Sequence, residues 1–239
     1  MRALVFFVTV VGIVGQITVR AQVPDTQSAA SDRDFSGIYA GAQTIIEPDV
    51  YPFTAEGERA HRVYDPLTGD PRQVDDCAPE SMPAILWAGT LNTMEISLAD
   101  ETIVMHLEHG GTVRSIHLAG ARPSADQPHT ELGYSMGNWS GGMLTVETTH
   151  LAGGVVFTSR GYPVSPQARL TERYWREAGK NLQMELLIDD PVNYLQPVKL
   201  AREWLWSPEE QVLPWNCISL GPRDAEPDID ELRRLLNQQ

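Results

Sequence analysis

The chain has 239 residues, with 32 Asp plus Glu against 18 Lys plus Arg, 42% hydrophobic and 21% charged residues, and a formal charge of −14. This is the composition of a globular protein and excludes a chain disordered throughout. The acidic excess excludes a nucleic-acid or anionic-lipid binder, because phosphate contacts need clustered Lys and Arg.

Met1-Arg2 supplies a short positive start, residues 3–15 form an uncharged apolar run, and Val19-Arg20-Ala21 places a small residue before a signal-peptidase cut. Residues 1–21 are therefore read as a signal peptide cleaved after Ala21. A membrane anchor would need about 20 apolar residues, and this run stops short of that. Cleavage removes Arg2 and Arg20 and no acid, which moves the charge from −14 to −16. The expected product is exported, periplasmic and without a membrane span. Residues 22–34 are small, polar and aperiodic, and read as a mobile leader.

Export governs the reading of Cys77 and Cys217, the two cysteines of the chain. In an oxidising compartment a lone pair far apart in sequence reads as a disulfide rather than as a nucleophile or a metal site. Asp75 and Asp76 beside Cys77 also oppose a catalytic thiolate, since neighbouring carboxylates raise a thiol pKa.

Phe35-Ser36-Gly37-Ile38-Tyr39 begins ordered structure. Residues 47–83 are rich in Pro, Asp and Gly and read as a long irregular segment, with one short helix over 55–61 capped by the Thr54 hydroxyl. From Met94 onward the pattern is strands joined by tight turns. Residues 102–108 and 112–118 alternate around His109-Gly110-Gly111. Residues 133–139 and 143–149 flank Ser140-Gly141-Gly142, and 168–176 and 182–188 flank Ala178-Gly179-Lys180-Asn181. A last strand over 198–206 follows the turn at Asp190-Pro191, and residues 228–236 read as a terminal helix. Strands without intervening helices predict one all-β domain over 35–239. The expected form is a single antiparallel meander closed into a lipocalin-like barrel, with a β-sandwich as the alternative.

Strand parity sets His106 and Glu108 opposite Ile103, Met105 and Leu107. A turn centred on Gly110-Gly111 would pair Glu108 with Val113, His106 with Ser115 and Val104 with His117. The resulting polar face of His106, Glu108, Ser115 and His117 either lines a barrel cavity, as an acid–base site, or is the ordinary solvated face of an antiparallel sheet. His-x-Glu on a strand is not a zinc spacing, so no metal is assigned. No cofactor motif, nucleophile elbow or phosphate loop is present.

Residues 133–148, Gly-Tyr-Ser-Met-Gly-Asn-Trp-Ser-Gly-Gly-Met-Leu-Thr-Val-Glu-Thr, resemble the signature Gly-His-Ser-Ile-Gly-Arg-Trp-Glu-Gly-Asp-Thr-Leu-Val-Val-Asp-Thr of a large family of exported bacterial proteins of unassigned activity. Tyr51-Pro52-Phe53-Thr54, Cys77-Ala78-Pro79, Met82-Pro83, Thr171-Glu172-Arg173, Asp189-Asp190-Pro191 and Trp215-Asn216-Cys217 are similar to further landmarks of that family in the same order. The resemblance covers about 51–224, places both cysteines on family cysteine positions and implies an exported domain. Tyr134 stands where the family has His, Asn138 where it has Arg and Ser140 where it has Glu. No family catalytic residues are assigned to carry over.

The sequence thus supports three readings. One is a cofactor-independent lyase or isomerase acting on an apolar or aromatic small molecule in the barrel, with His106, Glu108, His117 and Tyr134 as proton-transfer groups and Arg114 and Arg173 as substrate contacts. The second is a non-catalytic carrier of such a molecule. The third is a structural envelope-interaction domain with a filled interior.

Overall fold

The computed structural model describes residues 33–64, 77, 80–87, 93–157, 159–176, 180–218 and 234. The proposed signal peptide, most of the leader and, apart from Arg234, the helix expected over 228–236 lie outside the described residues. No helix among the described residues is long and apolar enough to cross a membrane.

Nine strands close into one barrel. They are β1 (Gly37–Ile46), β2 (Thr93–Ala99), β3 (Thr102–Leu107), β4 (Thr112–His117), β5 (Tyr134–Ser140), β6 (Met143–Thr149), β9 (Arg169–Arg176), β10 (Leu182–Asp189) and β11 (Val198–Trp206). A two-stranded excursion, β7 (Gly154–Val155) with β8 (Pro163–Val164), lies between β6 and β9. The ring order is β1-β11-β10-β9-β6-β5-β4-β3-β2. The barrel closes as expected, with one departure from the antiparallel meander: β4 and β5 run parallel. The connection over 118–133 is long enough to carry the chain back before β5 starts, which a tight hairpin cannot do.

Period-two alternation makes these strands. On β9, Leu170, Glu172 and Tyr174 face inward; on β10, Leu182, Met184, Leu186 and Ile188 do so; on β11, Val198, Leu200, Arg202 and Trp204. The β5–β6 hairpin closes at Ser140 opposite Met143 over Gly141-Gly142, with Gly141 at φ 60, a backbone region that suits a residue lacking a Cβ.

The β3–β4 hairpin differs in detail from the expectation. Residues 108–111 form a four-residue loop containing the 3-10 turn His109–Gly111, and the ladder closes at Leu107 opposite Thr112. Every expected pair therefore slips by two: His106 faces Val113 across the ladder, and His117 faces Thr102. A slip of two preserves parity, so each residue keeps the face assigned to it.

One end of the barrel carries a cap made by the irregular segment. Helix α1 (Ala55–Val63) starts at Thr54, whose Oγ1 accepts from Gly57 N at 3.0 Å and donates to the Val192 carbonyl at 2.6 Å. A Cβ on Gly57 would lie 2.1 Å from the Asn193 carbonyl oxygen, so glycine permits the helix to sit directly on that backbone. Buried Asp190 organises the receiving loop, accepting from Ser165 N and Oγ, Val192 N and Asn193 Nδ2 at 2.7–3.2 Å. Tyr51 stacks on Tyr162 at 3.8 Å, and Phe53 stacks on Tyr194 at 5.6 Å. Burial, then the Glu47 carboxylate, pushes the Tyr51 phenol well above its ordinary pKa. Cys77 and Cys217 are joined as a disulfide, 140 residues apart in sequence with Cα atoms 5.6 Å apart.

Candidate functional site

Among the described residues, large buried side chains fill the barrel interior. Between Phe35, Ile96, Ile103, Met105, Ile116, Leu144 and Tyr174 the free space is about 10 Å³, enough for one water-sized sphere and far below a metabolite. Trp204, Tyr39, Tyr174 and Met105 are among the fully buried side chains that occupy it.

Within this interior lies one polar network. Arg114 faces inward because it shares parity with Thr112 and Ile116 on β4. Its guanidinium is 1% exposed and meets Glu172 in a two-pronged pair, Nη1 to Oε2 at 2.7 Å and Nη2 to Oε1 at 2.7 Å. It also donates to Ser135 Oγ at 3.0 and 3.2 Å and to Thr148 Oγ1 at 2.9 Å. Tyr174 donates its hydroxyl proton to Glu172 Oε2 at 2.6 Å. Desolvation alone would lower the Arg114 pKa, but the carboxylate more than offsets it and holds the group above its ordinary value. Burial, reinforced by Glu172, drives the Tyr174 phenol well above its usual range. The network contains its own anion and its own donors, so Arg114 is committed to Glu172 and not to a substrate carboxylate.

Beside this network the wall of the barrel opens. β4 and β5 pair at Ile116 with Ser135 and at His117 with Met136, and nowhere else. A cleft of about 330 Å³ sits against this short junction, lined by Ser115, His117, Gln127, Thr130, Leu132, Gly133 and Tyr134, with Arg114 and Ser135 also on its lining. The His117 and Tyr134 rings stack at 4.8 Å and 21°. Tyr134 donates to the Arg122 carbonyl oxygen at 3.3 Å, which ties the ring to the 118–133 connection. Gly133, at φ 65, turns the chain into β5; a Cβ there would lie 2.5 Å from the Thr149 carbonyl oxygen.

Of the residues singled out from sequence, the structure brings Arg114, Ser115, His117 and Tyr134 to this one cleft and leaves His106, Glu108 and Arg173 outside it. His106 is on the outer face of β3, between Glu95 of β2 and Val113 of β4, partly exposed. Glu108 sits in the hairpin loop, where its Oε2 accepts from Leu213 N at 3.5 Å. Arg173 is exposed on the outer face of β9, 4.0 Å from Glu185. The proton-transfer set of His106, Glu108 and His117 is therefore not assembled around a barrel cavity: parity turns it to the outer surface while large side chains fill the inside. Among the described residues no three His, Cys, Asp or Glu side chains gather where they could hold a metal ion.

Glu172, Ser135, Thr148 and Tyr174 were not foreseen as partners of Arg114. Glu172 alone carried a signal, since it occupies an inward parity position between the buried Leu170 and Tyr174. Compared with known proteins, the chain matches no family model, no curated protein and no solved structure.

Proposed function

We propose that this chain is an exported binding module that takes a small polar molecule in the cleft between β4 and β5. The observation that carries the reading is the contrast between a packed barrel and this cleft of about 330 Å³, which falls within the size range of small-molecule sites. Its polar groups are the Ser115 and Thr130 hydroxyls, the Gln127 amide, the His117 imidazole and the Tyr134 phenol. Among the described residues no carboxylate lines it, which favours a neutral or anionic ligand over a cation. The aromatic pair offers a flat, hydrogen-bonding wall. The Cys77–Cys217 disulfide supports export, because such bonds persist in oxidising compartments.

The test is a metabolite screen of the purified protein by ligand-detected NMR, followed by calorimetry on the hits. A hit whose affinity falls at least about tenfold in His117→Ala supports the reading, since that loss is about 1.4 kcal/mol of contact energy. Hits indifferent to both His117→Ala and Gln127→Ala remove the cleft from consideration.

A second reading, a cofactor-independent lyase or isomerase, draws on the same stacked pair, an imidazole and a phenol able to exchange a proton with a bound substrate. Tyr134→Phe separates the two: retained binding with lost turnover supports catalysis, and binding without turnover in the unmodified protein supports the module.

A further inference from the structure

A second group of side chains, outside the cleft's aromatic wall, brings two imidazole rings side by side. Thr130 and Leu151 form an isolated parallel bridge, in which Thr130 N donates to the His150 carbonyl at 2.9 Å and Ala152 N to the Thr130 carbonyl at 2.8 Å. That bridge sets His129 beside His150, residues far apart in sequence, with ring centroids 5.4 Å apart and planes at 50°.

Both rings are oriented through Nδ1. His129 Nδ1 lies 2.7 Å from the Leu151 carbonyl oxygen; a carbonyl only accepts, so Nδ1 donates and, in the neutral ring, Nε2 carries the lone pair. His150 Nδ1 lies 2.9 Å from Thr149 Oγ1. Neither Nε2 makes a hydrogen bond among the described residues. A ring nitrogen tied to a carbonyl or hydroxyl while the other stays open is the arrangement that orients metal-ligating histidines. His150 is also, among the described residues, one of three non-glycine residues with positive φ, at 58°, a backbone region that β-carbon-bearing residues seldom adopt.

The ring separation fits one shared ion. With a metal–nitrogen distance of about 2.1 Å the ring centre stands roughly 3.2 Å from the metal, so two rings at angles of about 90–109° have centres about 4.5–5.2 Å apart. The observed 5.4 Å is within a few tenths of an ångström of that range. We propose that His129 and His150 form a two-imidazole site for a borderline divalent transition-metal ion such as Cu²⁺, Ni²⁺ or Zn²⁺, bound through Nε2 of each ring. No third His, Cys, Asp or Glu joins them among the described residues, so water or an outside donor completes the coordination. The ion is therefore exchangeable, unlike the closed four-ligand sites that hold folds together. The formal charge of −14 raises the cation concentration near the surface. The site stands independently of the cleft's proposed ligand.

The test is titration of the untagged, folded chain with CuCl₂, followed by calorimetry and by pulsed electron paramagnetic resonance. We expect one equivalent bound, two imidazole nitrogens coupled to the copper, and weaker binding on acidification as protons compete for Nε2. His129→Gln and His150→Asn should each weaken binding more than about tenfold, while His106→Ala leaves it unchanged. Asn is chosen at 150 because it accepts the left-handed backbone, and an unchanged melting temperature without copper establishes that each variant folds. The proposal is overturned if the unmodified chain binds no copper, if the site survives in the double variant, or if the coupled nitrogens are not two.

Discussion

The inside of the barrel and the cleft beside it share two residues, Arg114 and Ser135, yet treat polar groups in opposite ways. Inside, Arg114, Glu172, Ser135, Thr148 and Tyr174 satisfy one another at 2.6–3.2 Å behind almost no solvent exposure. In the cleft, Ser115 is exposed and His117 and Tyr134 are half-buried, the two rings stacked on each other and the Tyr134 hydroxyl donating to one carbonyl. The difference separates structural polarity from candidate function. A buried charge persists only when its partners are complete, and a complete set leaves nothing to offer a ligand. Among the described residues the two buried arginines, Arg114 and Arg202, sit in different electrostatic surroundings. Arg202 donates to the Leu86 carbonyl and lies 4.2 Å from the Trp204 ring centre, and desolvation lowers its pKa to about 10, whereas Glu172 raises that of Arg114.

The largest expected effect comes from breaking the interior set. Glu172→Ala leaves the Arg114 guanidinium buried without its carboxylate and should cost about 3–5 kcal/mol in chemical denaturation. Replacing both partners, Arg114→Met with Glu172→Leu, should recover most of that loss, because an apolar pair removes the uncompensated charge. A double variant no more stable than Glu172→Ala would show that the residues do not act as a pair. Next in size is the clamp: Cys77→Ser with Cys217→Ser should cost about 2–4 kcal/mol, measured the same way. Ser135 touches both regions. Ser135→Ala removes an oxygen that accepts twice from Arg114 and should cost about 1–3 kcal/mol, since a buried donor loses a partner. A loss below about 0.5 kcal/mol would mean that water from the cleft replaces the hydroxyl, blurring the boundary between the two regions.

Much of the frame was legible because its signals are local. Alternation marked β3, β4, β5, β6, β9, β10 and β11, the Gly141-Gly142 turn set one register, and Thr54 announced the start of α1. The β3–β4 register was missed because a four-residue loop with a 3-10 turn and a two-residue glycine turn look alike in sequence. The parallel β4–β5 contact was missed because the 118–133 connection carries no periodicity to reveal its return path. The site was harder. Polar alternation on the first hairpin marked a face, and that face is the outer one; the functional suggestion lay in which strands part from each other, a tertiary property. His129 and His150 meet only through the Thr130–Leu151 bridge, which no spacing rule encodes.

The smallest expected stability effect is the most informative about function. His117 and Tyr134 are partly exposed, and the Tyr134 hydroxyl makes a single 3.3 Å bond to a carbonyl at the surface. His117→Ala and Tyr134→Phe should therefore each change stability by no more than about 0.5 kcal/mol, the range for surface substitutions away from special features. The same two changes should dominate ligand affinity if the cleft is the site. A large stability loss with unchanged binding would reverse the comparison, making the stacked pair part of the barrel's framework and leaving the cleft a seam between strands. Measuring denaturation and binding on the same two proteins decides the matter, because a residue held by complete partners moves the first quantity and a residue held open moves the second.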